Sequence, residues 1–116
     1  MTRQVQWQED GVPSSPQRNM DVDAALLSTV HEGRQGVPVV RLYQWDRPSV
    51  SIGRLQSEEP VRRLYPDLPC VRRPTGGRAV LHGEDLTISV AVRTDWLPGD
   101  SGKTVLSSYR LLMSGL

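Results

Sequence analysis

The sequence predicts a mixed α+β domain, a largely antiparallel sheet with flanking helices. Three observations carry that expectation. The runs "VVRLYQW", "SVSIG", "AVLH" and "DLTISVAV" are short, apolar and alternating, as strands are. Turn residues separate neighbouring runs by only a few positions, Asp46-Arg47-Pro48 in one case and Gly83-Glu84 in the other, which suits antiparallel neighbours. Helical spacing of apolar residues marks both ends of the chain.

Taken in order, "DGVPSSPQRNMDVDAALL" reads as a loop entering a helix, with Ser15 as N-cap and Pro16 as first helical residue. Met20, Ala24, Leu27 and Val30 fall on one face and are expected to pack in the core; Gly33 and Gly36 end the helix. "VPVVRLYQW" is a strand with Val40 and Leu42 on one side and Val39, Arg41, Tyr43 and Trp45 on the other. Pro48 stiffens the turn, "SVSIG" returns as far as Gly53, and the pair reads as a hairpin. "SEEPVRRLYPDLP" is a short helix capped by Ser57, with Glu58 and Glu59 at the positive end of its dipole and Pro66 and Pro69 stopping it. "CVRR" leads as a strand into a glycine loop. Two more strands flank Gly83-Glu84, and Leu86, Ile88, Val90 and Val92 share one face. A loop, "DWLPGDSG", precedes a final helix striped by Val105, Leu106, Tyr109, Leu112, Met113 and Leu116. That helix reaches Leu116 with no stop signal beyond Gly115 and no partner for its stripe, so a domain truncated at its C-terminus is expected.

Composition narrows the function classes. The 116 residues suit one domain, and glycine with the hydrophobic residues makes about 46% of them, a globular share. A net charge of +1 disfavours a nucleic-acid binder. All the basic residues but Lys103 are arginine, the residue suited to bidentate carboxylate and phosphate contacts, although an Arg-rich codon usage accounts for most of them equally well. A single cysteine, Cys70, excludes an internal disulfide and a multi-cysteine metal site; its apolar setting after Leu68-Pro69 reads as a small core residue. The polar "MTRQVQWQED" has no signal-peptide core, and no stretch matches a membrane span, so a cytoplasmic protein is the default expectation. "GDSGKT" is not a phosphate loop, because too few residues separate Gly99 from the Gly-Lys pair. There is no internal repeat.

The chemistry concentrates in "RRPTGGRAVLHGEDLTISV", Arg72 to Val90. Adjacent Gly76 and Gly77 let backbone N–H groups approach a ligand, and successive N–H groups form an anion-binding concavity. Arg72, Arg73 and Arg78 surround it, but strand alternation points only one of the first two at the loop. His82 is placed to bond a ligand or to orient the loop. The residues alone leave two readings open: a site for a phosphate, acyl-phosphate or polarised carbonyl, or a tight turn with solvated arginines.

Three blocks in order resemble the lipoate–protein ligase and octanoyltransferase family, whose catalytic domain is related to biotin protein ligase. They are "NMDVDAALL" (Asn19 to Leu27), "VVRLYQWDRPSVSIGRLQ" (Val39 to Gln56) and "VRRPTGGRAVLHGEDLTISV" (Val71 to Val90). The resemblance implies the class II synthetase and biotin protein ligase fold, incomplete, with residues 1–116 as the N-terminal portion of the catalytic domain. It implies protein lipoylation, the attachment of an octanoyl or lipoyl group to a lysine of a lipoyl domain. Arg73, Thr75, Gly76, Gly77, Arg78, Ala79, Val80, Leu81 and His82 would form the acyl or nucleotide-binding wall, with Arg72 a further candidate and no metal ligand.

The family's ligases usually carry a third glycine where this chain has Arg78, so the form "RRPTGGRAVLH" looks closer to the octanoyltransferase branch. That branch takes its acyl group from acyl carrier protein and needs no cofactor; the ligase alternative needs ATP and Mg. Acceptors would be proteins such as glycine cleavage H protein or a dehydrogenase E2 subunit. The family's catalytic lysine and cysteine are expected beyond Leu116, so this chain alone is expected to be inactive. A non-catalytic acyl-binding module or one subunit of a split enzyme is the remaining alternative.

Overall fold

The computed structural model describes residues 4–97. In chain order the elements are β1 (Gln6–Glu9), α1 (Pro16–His31), β2 (Val39–Tyr43), β3 (Ser49–Ile52), α2 (Glu59–Leu64), β4 (Cys70–Arg72), β5 (Val80–His82) and β6 (Thr87–Ala91), then a 3₁₀ turn at Thr94–Trp96. The α+β class holds. The strands form two three-stranded sheets, ordered β1-β2-β6 and β4-β3-β5. Each sheet contains one parallel pair, β1 with β2 and β3 with β4, and one antiparallel pair, β2 with β6 and β3 with β5. Pairing among the described strands is therefore evenly mixed rather than largely antiparallel. The predicted final helix and its apolar stripe lie outside the described residues.

Helix α1 starts and stops as its sequence directs. Ser15 Oγ accepts the Arg18 N–H at 3.2 Å, and Pro16 takes the first position, where its missing N–H costs nothing. At the far end Gly33 adopts φ +77°, Gly33 N–H donates to Val30 O, and Arg34 N–H donates to Thr29 O. These two bonds with a left-handed residue make a Schellman ending. The buried face differs from the expected one. Met20 and Val30 are buried, but Ala24 and Leu27 are exposed, and Asn19 with half-buried Asp23 and Leu26 turn inward instead. The helix is rotated because its polar Asn19 and Asp23 bond a buried arginine on β2.

That arginine is Arg41, with no exposed surface. Its guanidinium donates to Asp10 Oδ2 at 2.6 Å, Asp23 Oδ1 at 2.9 Å, Asn19 Oδ1 at 2.9 Å and Asn19 O at 3.0 Å, and it lies 3.8 Å from the centre of the Tyr43 ring. Tyr43 and Ser89 hydroxyls donate to the other Asp23 oxygen. A buried charge persists only when paired and fully hydrogen-bonded, which is its condition here. Burial holds the Tyr43 phenol above its ordinary pKa.

The expected β2–β3 hairpin does not form. Both edges of β2 are occupied, by β1 in parallel and by β6 in antiparallel register. β1 was not anticipated, because "QWQE" has no apolar alternation; it is held by backbone bonding to β2 while Trp7 stays exposed. Trp45 bridges to Ser14, and the chain then crosses at Asp46-Arg47-Pro48 into the second sheet. It crosses back between β5 and β6. The two crossings meet, and α1 packs against β4 and β6, one strand of each sheet. Met20, Tyr43, Trp45 and Val71 fill the seam; Val30, Val39 and Ala91 pack beside the first sheet; Val50, Ile52 and Val61 pack beside the second.

Helix α2 lacks the expected Ser57 cap. Glu58 is the N-cap residue without a side-chain cap bond, and the helix is supported instead by Glu58–Arg62 and Glu59–Arg63 ion pairs one turn apart. It ends before Pro66, whose ring disfavours helical backbone in the residue ahead of it. Among the described residues no helix is long and apolar enough to cross a membrane.

Candidate functional site

The glycine loop joins β4 to β5 and is built from backbone contacts first. Gly77 adopts φ +101°, a conformation that favours glycine. A Cβ on Gly53 would stand 2.1 Å from Gly77 O, so the end of β3 and the loop touch backbone to backbone. Arg54 N–H donates to Thr75 O at 2.8 Å and fixes this approach. Gly76 meets nothing within 4 Å and has no such constraint.

The two arginines diverge, as alternation predicts. Arg72 Nη1 donates to the carbonyls of Gly53, Arg54 and Gln56, organising the 53–56 turn. Arg73 enters the glycine loop. Its Nη1 donates to Ser51 Oγ at 2.7 Å, and its Nη2 donates to Gly76 O at 3.1 Å and Arg78 O at 2.8 Å. Burial pulls the Arg73 pKa below its ordinary value. Arg78 is exposed and has no side-chain partner among the described residues. The three arginines thus do not jointly line an anion concavity.

His82 is held on three sides. Nδ1 is 2.8 Å from Asp85 Oδ2, Nε2 is 2.8 Å from Ser51 Oγ, and the ring stacks on Trp45 at 3.9 Å. Burial pushes the Asp85 carboxyl up, but bonds from His82, the Gly83 N–H and Thr87 together outweigh it and leave its pKa lowered. Sequence reasoning missed Ser51, Asp85, Trp45 and Gly53. Gly53, closing a strand, and Asp85, opening one, were the signals available.

A cleft of about 220 Å³ opens between α1, β6 and the start of the loop. Leu26, Leu27, Ile88, Val90 and Ala91 give it apolar walls; Asp23, Tyr43, Thr87, Ser89, Arg73, Pro74 and Thr75 complete it. Of the expected wall, only Arg73 and Thr75 line this cleft. Gly76, Gly77, Arg78, Ala79, Val80 and Leu81 lie on the open surface beside it, and His82 is tucked behind. Val80 and Leu81 are 47% and 54% exposed. Cys70 is half-buried against the Val50–Ile52–Val61 cluster, and burial with the nearby Glu58 charge raises its pKa, the opposite of an activated thiol. No metal-binding cluster occurs among the described residues.

The chain spans just over a third of the length of the curated relatives it matches. An octanoyltransferase LipM from Lysinibacillus sphaericus is 43% identical over 106 residues, covering 88% of this chain and 37% of the relative. One from Kyrpidia tusciae is also 43% identical, over 84% of this chain and 36% of the relative. Among solved structures, a lipoate-protein ligase A bound with ATP superposes with TM-score 0.55 at 27% identity, covering 78% of this chain and 36% of that one. A T. acidophilum protein provisionally described as a lipoate protein ligase, with lipoic acid bound, gives TM-score 0.56 at 27% identity over 78% of this chain and 37% of its own. The family model described as lipoyl protein ligase A/B catalytic domain matches residues 15–116, and the chain belongs to that family.

Proposed function

We propose that this chain is the acyl-binding, N-terminal part of an octanoyltransferase acting in protein lipoylation. The observation that carries the reading is the run of relatives named octanoyltransferase at about 40% identity. The complete enzyme takes an octanoyl group from acyl carrier protein and passes it to a lysine amine of a lipoyl-domain protein, without a bound cofactor. The thioester carbon exchanges sulfur for nitrogen, the donor leaves as a thiol, and the amine proton must be taken up by a base.

The residues of this chain bind rather than react. The half-exposed Val80 and Leu81 and, separately, the apolar-walled cleft offer surface that suits an aliphatic chain. The loop N–H groups around Gly77 suit the acyl carbonyl. Cys70 is no nucleophile, so Cys70→Ser should leave transfer unchanged.

The ATP-dependent ligase is the second reading, favoured by the ATP-bound neighbour. ATP with Mg would then sit against the same loop. The fit is poor on the residues described, because Arg72 and Arg73 already donate to backbone carbonyls, leaving Arg54 and Arg78 as the arginines near the loop without a side-chain hydrogen bond among the described residues.

The test is octanoyl transfer by the full-length protein to a lipoyl-domain acceptor, by mass shift. Transfer from octanoyl-acyl carrier protein without ATP is expected. Transfer only from free octanoate or lipoate with ATP would establish the ligase, and transfer from neither would remove both.

A further inference from the structure

Where the two sheets meet, Ser51, His82 and Asp85 stand in the order that activates a serine nucleophile, with 2.8 Å at each link. Two observations exclude that role. Ser51 is 0% exposed, so no substrate carbonyl reaches its Oγ. The Oγ also accepts from Arg73 Nη1 at 2.7 Å, which occupies a lone pair that attack would need.

Donor and acceptor chemistry sets the direction of the chain. Arginine only donates, so Ser51 Oγ accepts from Arg73. An ionised Asp85 only accepts, so the hydrogen between them is on His82 Nδ1. The buried Ser51 hydroxyl has Arg73, a donor, and His82 Nε2 as its partners, so its own hydrogen goes to Nε2. The far end is anchored as well. Asp85 accepts from Gly83 N–H at 2.7 Å and from Thr87 Oγ1 at 3.1 Å, and Trp45, stacked on His82, donates its Nε1–H to Thr87 Oγ1 at 2.8 Å. At the near end Arg73 Nη2 closes on the Gly76 and Arg78 carbonyls.

We propose that Ser51, His82 and Asp85 are positioning residues that hold the Arg73 guanidinium and, through it, preset the glycine loop for its acyl ligand. Residues 74–78 include two glycines and would otherwise have to be ordered when the ligand binds, which weakens binding. The effect on the ligand rests on the acyl-binding reading above; the hydrogen-bond chain does not.

The experiment is ¹⁵N NMR of the full-length protein and its variants, followed by kinetics. His82 is expected in the Nδ1–H form, and the Arg73 Nη resonances are expected to be distinct and slow to rotate. Ser51→Ala should merge those Arg73 resonances. Ser49→Ala should not, because Ser49 is equally buried and loses the same volume but lies off the chain. Asp85→Asn, at a site 38% exposed, should mix the His82 tautomers and serves if Ser51→Ala does not fold.

Ser51→Ala should raise KM for the acyl donor about tenfold, roughly one hydrogen bond, with kcat within about twofold. An ordered Arg73 in Ser51→Ala, a wild-type His82 protonated mainly on Nε2, or labelling of Ser51 by a fluorophosphonate would each overturn the proposal. Spectra as expected with no octanoyl transfer by the wild type would sink the transferase reading and leave the positioning chain standing.

Discussion

Gly53 and Gly76 look alike in the sequence and differ in the structure. Gly53 has the Gly77 carbonyl where a Cβ would go, at 2.1 Å, whereas Gly76 faces open space. Gly53→Ala should therefore destabilise by about 1–3 kcal/mol, the usual cost of forcing a packed site apart. Gly76→Ala should stay within about 1 kcal/mol of wild type, and urea unfolding of both variants checks the difference. Asp85 makes a prediction about pH. Its folded pKa is lowered, so its stabilising contribution is complete above the ordinary carboxylate value of about 3.9 and is lost as pH falls through the folded value. Unfolding free energy followed down the acid range should fall less steeply for Asp85→Asn than for wild type.

At the scale of elements, α1 and β2 are joined by polar contacts through a buried face. Arg41 on β2 reaches Asp10 ahead of α1 and Asn19 and Asp23 on it, and Asp23 in turn accepts from Tyr43 and Ser89 across β2 and β6. Arg41→Ala leaves two half-buried carboxylates without their cation and should cost about 3–5 kcal/mol, measured by denaturant midpoint at constant slope. The helix boundaries were legible because capping is local: Ser15, Pro16 and Gly33 act within a few residues of themselves. The buried stripe was not, since an apolar count at helical spacing favours Leu27 over Asn19. A buried arginine 22 residues away reverses that choice.

For the whole molecule, the open surface beside the cleft separates binding from packing. Leu81 is half-exposed on β5, so Leu81→Ser should change stability by no more than about 0.5 kcal/mol. If Val80 and Leu81 form an acyl wall, the same change should raise KM for the octanoyl donor about tenfold in the full-length protein, by loss of buried apolar contact. A stability loss without a KM change would return Leu81 to a packing role. Helix α1 packs against one strand of each sheet, β4 and β6, and so ties the two sheets together.

The strands from β2 onward, both described helices, the glycine loop, the divergence of Arg72 and Arg73, and the family are legible in the residues alone, because these depend on local spacing and on an ordered set of motifs. The strand pairing is set by contacts distant in the chain. β2 has two edges, the polar β1 and the distant β6 take both, and the expected hairpin with β3 is left without an edge. The same folding brings Ser51, Arg73, His82 and Asp85, spread over 35 positions, into one hydrogen-bond chain. Hydrogen bonds act at about 3 Å and constrain no sequence interval, so no motif announces them.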